Sequence, residues 1–140
     1  MLHLLHPALV HFSIAFLVTG AVCEASGIFK AREGLERFGG TLVLLGTVSL
    51  LPTVVTGFLA KNSIAIPTGA VDAVALHERL ELIASALFLG SQFLKAWGGG
   101  RLAAGLRLPY ALVLLVGVLV VVAGAATGGH MVYRLSVGIE

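Results

Sequence analysis

Four histidines lie near the ends of apolar runs: His6 and His11 in HPALVHF, His77 in HERLE and His130 in GGHMVY. A neutral imidazole binds iron, copper or zinc through one ring nitrogen, while the other nitrogen donates to an oxygen that fixes the tautomer. Oxygen acceptors are near in sequence or placed to be near in space: Glu78, Glu81, Thr53, Thr56 and Thr127, besides carbonyls freed at proline and glycine breaks. Two imidazoles beside a wide apolar space suit haem b with axial histidines. Three imidazoles and a water suit zinc or copper instead. His6 and His11 are five positions apart, which turns them about 140° away from each other on a helix. Pro7 fits a first helical position, so His6 reads as a cap and His11 as the inner ligand. The expected axial pair is His11 and His77, with His130 and His6 assisting or serving a second cofactor. Arg79, Arg134 and Tyr133 stand at the rim, where they could either hold propionates or anchor the interface.

These residues need helices to bring them together. The chain has 140 residues, 58% of them hydrophobic and 11% charged, with a mean hydropathy of +1.02. That composition is a membrane protein's. Charges cluster, leaving four apolar stretches near 7–28, 38–60, 71–97 and 108–132, each about the 20 residues a helix needs to cross a bilayer. The expected fold is all-α: one four-helix transmembrane bundle, up-down-up-down, over residues 1–140. The first stretch lacks a basic leader and carries His11 and Glu24, so it reads as a span rather than a signal peptide.

Depth follows from helical rise. From His77 to Trp97 is about 30 Å at 1.5 Å per residue, the thickness of the hydrocarbon core. His130 stands the same distance from Tyr110, and His11 nearly so from Lys30, so three helices carry a histidine to one level. Histidines inside membrane spans generally face the bundle interior and mark function. The first and third connections carry Lys30, Arg32, Arg37, Lys95, Arg101 and Arg107, against Lys61, Arg79 and Arg134 on the other side. The positive-inside rule then places both termini outward, in the periplasm of a bacterial inner membrane.

An internal repeat is also visible. VTGF around Thr56–Gly57 is echoed by ATGG around Thr127–Gly128, and each follows a histidine, His11 or His77, by a similar interval. Parallel repeats about an axis normal to the membrane would set those two histidines diagonally across the bundle. Gly57, Gly124, Gly128 and Gly129 clear space at that level. GAATG also satisfies GxxxG, which serves helix packing or a homo-oligomer equally well.

Other chemistries are excluded. The single cysteine, Cys23, allows no disulfide framework and no covalent haem attachment, and no base neighbours it for nucleophilic catalysis. GGG at 98–100 lacks the strand and lysine of a nucleotide loop. The net charge of +2 is too small and dispersed for nucleic acid. The bilayer is the expected partner, and a haem centre would exchange electrons with a quinone or a periplasmic redox protein.

HPALVHF, the central His77 and the ending GGHMVYRLSVG together resemble a bacterial family of four-helix membrane proteins, domain of unknown function two-two-three-one. The resemblance spans nearly the whole chain. It rests on His-Pro with a second histidine before Phe12, and on Gly-Gly-x-x-Val-Tyr-x-x-x-Val-Gly from Gly128 to Gly138. Ser13 departs from it, standing where the family often has proline. The resemblance implies a redox-active haem or metal on His6, His11, His77 and His130, and no defined enzymatic activity.

Overall fold

The computed structural model describes residues 2–100 and 102–138, with side chains from Leu5 onward. Four helices account for nearly all of it: α1 (Leu2–Phe29), α2 (Glu33–Ser63), α3 (Val71–Trp97) and α4 (Ala104–Leu135), with one 3₁₀ turn, Thr68–Ala70, leading into α3. Each connection has its own device. Ala31 takes a left-handed φ of 51° between α1 and α2, and Gly99 and Gly100 do so after α3 at 66° and 82°, a conformation glycine adopts without steric cost. Ser136, at φ 53°, closes α4. Beyond it the Val137 amide bonds back to the Met131 carbonyl at 3.0 Å, satisfying an end carbonyl as helix C-caps do.

Helices α1 and α2 pack along their length, as do α3 and α4; α1 also touches α4 and α2 touches α3. The order around the bundle is therefore the chain order, with α1 diagonal to α3 and α2 to α4. Short connections make neighbours antiparallel, so both described ends and the α2–α3 connection share one end of the bundle. The fold is the up-down-up-down four-helix bundle expected.

Apolar side chains cover the outside as well as the core. Phe12, Val22, Phe29, Val48, Phe93 and Leu119 are all more than half exposed, which is tolerable against lipid and costly against water. Three helices are long and apolar enough to cross a membrane: α1 from Leu5, α2 and α4. Helix α3 has the length but more charge. Its Glu78, Glu81 and Lys95 all find partners on other helices.

Contacts in the two halves recur at an offset of 71 residues. His6 Nδ1 meets the Thr53 carbonyl and His77 Nδ1 the Gly124 carbonyl, each across 47 residues; adding 71 to 6 and 53 gives 77 and 124. At mid-bundle, a Cβ on Gly46 would lie 2.7 Å from Leu17, and one on Gly117 would lie 2.9 Å from Phe88. Adding 71 to 46 and 17 gives 117 and 88. In each half a large buried side chain thus fills a notch in the adjacent helix where no side chain stands. A pseudo-two-fold axis runs down the bundle, and the repeat joins His77 to His6, not to His11.

Candidate metal centre

Helix α1 begins at Leu2 and carries Pro7 inside it, so His6 is not a cap. It lies a full turn within the helix and points into the bundle. His6 Nδ1 donates to the Thr53 carbonyl of α2 at 2.9 Å. That carbonyl also accepts from Thr56 Oγ1 at 3.0 Å. Thr53 is held in turn by Ser13 Oγ, 2.9 Å from its Oγ1. The second half repeats the motif: His77 Nδ1 donates to the Gly124 carbonyl of α4 at 2.9 Å. A carbonyl only accepts, so Nδ1 carries the hydrogen in both rings, and a ring with that hydrogen alone offers Nε2 as a ligand.

Both Nε2 atoms face one carboxylate. Glu81 Oε1 lies 3.3 Å from His77 Nε2, one turn earlier on α3, and 3.7 Å from His6 Nε2. The two rings stand 6.2 Å apart between centroids and 81° apart in plane. The three side chains are mostly buried, at 16%, 15% and 21% exposure. Three lone-pair atoms that converge repel one another unless something positive stands among them. A proton on one imidazole serves one contact; a metal ion serves all three at once. The three ligand atoms lie within 4.8 Å of one another. Tetrahedral bonds of 2.0–2.1 Å set ligand atoms about 3.3 Å apart, so the His77–Glu81 edge is already at that length.

Two glycines make room for the rings. A Cβ on Gly57 would lie 3.0 Å from His6 Cε1, and one on Gly128 would lie 3.1 Å from His77 Cε1. Above the triad opens a cavity of about 510 Å³, walled by Val54, Phe58, Leu82 and Val132 among other apolar groups. Its size is that of a small-molecule site. At its rim Lys61 pairs with Glu78 at 2.6 Å.

The remaining sequence-predicted residues are placed differently. His11 lines the cavity but is exposed, and its Nδ1 turns back to the Pro7 carbonyl. His130, Arg79 and Arg134 are exposed and outside the cavity wall. Tyr133 is on the wall at 85% exposure. The structure brings together His6, His77, Gly57 and Gly128, and adds Glu81, which the sequence offered only as one of several acceptors in HERLE. The shared interval was a signal for His6: Thr56 follows His6, and Thr127 follows His77, by the same 50 positions.

With this geometry in place, comparison with known families gives a match to the model described as Predicted membrane protein (DUF2231), which aligns with residues 2–140. The chain belongs to that family. It is a membrane protein. No curated protein and no solved structure matches the chain.

Proposed function

We propose that this DUF2231 protein is a membrane-embedded metalloprotein that holds a zinc or copper ion on His6, His77 and Glu81. The observation that carries the reading is the convergence of two imidazole nitrogens and one carboxylate oxygen within 4.8 Å. A two-nitrogen, one-oxygen set suits zinc, and leaves a fourth position for water or a ligand. Both imidazoles have their far nitrogen fixed by a carbonyl, as metal-bound histidines do. The open position faces the apolar cavity. In a bacterial inner membrane with more cationic connections inside, this centre sits at the outer, periplasmic end.

A second reading is favoured by one observation. Rings 6.2 Å apart and 81° to each other, on diagonal helices beside two glycines, resemble an axial pair for haem b. The protein would then pass electrons to or from a quinone or a periplasmic redox protein. In that reading Glu81 must leave the space between the rings, because its oxygen stands where the porphyrin would lie.

Elemental analysis and a visible spectrum of the purified protein test both. Zinc or copper in stoichiometric amount with no Soret band is expected. Binding of added zinc to chelator-stripped protein should fall by at least ~100-fold in His6→Ala, His77→Ala and Glu81→Gln, a loss no smaller than that from removing an outer-shell partner. A Soret band that survives Glu81→Gln and vanishes in His6→Ala and His77→Ala would establish the haem reading instead. Neither metal nor haem overturns both.

A further inference from the structure

Two ion pairs outside the histidine site obey the same offset as the repeat. Glu24 of α1 pairs with Lys95 of α3, and Glu36 of α2 pairs with Arg107 of α4, each across 71 residues. A residue and its counterpart 71 positions later hold equivalent places in the two halves. They can touch only where the pseudo-two-fold axis passes between them. At both levels on that axis the first half presents an anion and the second a cation.

The inner pair is built in with care for space. Glu24 is fully buried, and its second oxygen accepts from the Tyr110 hydroxyl at 3.2 Å. Gly40 leaves the room: a Cβ there would meet the Lys95 ammonium and would stand 3.1 Å from Glu24 Oε1. The outer pair is more accessible, with Glu36 at 23% and Arg107 at 38% exposure.

We infer that the α1–α2 and α3–α4 hairpins are mutually selective partners whose pairing is specified by this exchange of charge. Paired with each other, they set anion against cation twice. Two first hairpins would set Glu24 against Glu24 and Glu36 against Glu36; two second hairpins would set Lys95 against Lys95 and Arg107 against Arg107. A buried charge with a like partner is strongly disfavoured, and such repulsion is how an interface rejects a wrong partner. The surface of either hairpin therefore fits one class of partner, a helical hairpin of opposite charge at both levels. The selectivity also bears on the site, because His6 comes from one hairpin and His77 and Glu81 from the other. A pairing of like hairpins would not assemble the three groups.

The test begins from the full chain. A protease recognition sequence is inserted in the exposed connection between Ala65 and Ile66, and the folded, detergent-purified protein is cut. The two fragments are expected to elute together on size exclusion. Glu24→Lys is expected to raise the separated fraction at least tenfold, and the exchange Glu24→Lys with Lys95→Glu to restore co-elution. Should the buried reversal fail to fold, Glu36→Lys alone and with Arg107→Glu supplies the same comparison at the more accessible pair. Fragments that separate in the unreversed protein, reversals without effect, or exchanges that fail to rescue would each overturn the inference.

Discussion

Glu81 has no counterpart in the first half: 71 positions earlier stands Val10, on the cavity wall one turn after His6. The pseudo-two-fold axis relates the two imidazoles but not the carboxylate, so the triad is symmetric in nitrogen and asymmetric in oxygen. Val10→Glu would place a second carboxylate beside His6 as Glu81 stands beside His77. Zinc affinity, measured by competition with a chelator, is expected to rise about tenfold, the equivalent of ~1.4 kcal/mol for one added charged ligand. His130→Ala and Arg134→Ala, at exposed positions away from the cavity wall, are expected to leave that affinity unchanged within twofold.

At the scale of elements, the helices were legible and their rotation was not. The apolar stretches near 7–28 and 38–60 are the middles of α1 and α2, and 71–97 is the whole of α3, because length and apolarity mark a span irrespective of its neighbours. Which histidine faces inward depends on where α1 begins. With Pro7 as the first helical residue, His6 would be a cap and His11 the inner ligand. The helix starts at Leu2, and Pro7 is accommodated in its second turn. Glu81 stood only among several acceptors for a related reason: beside Glu78 and Arg79, nothing in HERLE itself distinguishes it. Only a neighbouring helix decides that one of these residues turns inward. The glycines test the packing that results. Gly46→Ala and Gly117→Ala would press a methyl against Leu17 and Phe88 at 2.7 and 2.9 Å, and overpacking of this kind costs about 1–3 kcal/mol. Gly90→Ala meets nothing within 4 Å and should be neutral or stabilising by up to ~1 kcal/mol through helix propensity. Thermal unfolding in detergent should separate the two classes.

For the whole molecule, the arrangement is two hairpins around an axis with different chemistry at its two ends. The His6–His77–Glu81 cluster lies at the end that holds the α2–α3 connection, and the Glu24–Lys95 and Glu36–Arg107 ion pairs lie toward the end that holds the other two. Between them Leu17, Val43, Phe88 and Leu114 form an apolar cluster. Orientation decides which compartment would supply the proposed metal. By the positive-inside rule the cationic stretches 30–37 and 95–107 are expected on the cytoplasmic side, which would turn the cavity outward. Single cysteines on a Cys23→Ala background report this directly in intact cells. Cysteine at Ala65 or Tyr133, both exposed at the cavity end, is expected to react with a membrane-impermeant maleimide. Cysteine at Gly34 or Gly99, exposed at the opposite end, should react only after the cells are opened. The reverse pattern would put the triad in the cytoplasm, where the ion it meets would be set by intracellular buffering rather than by the medium.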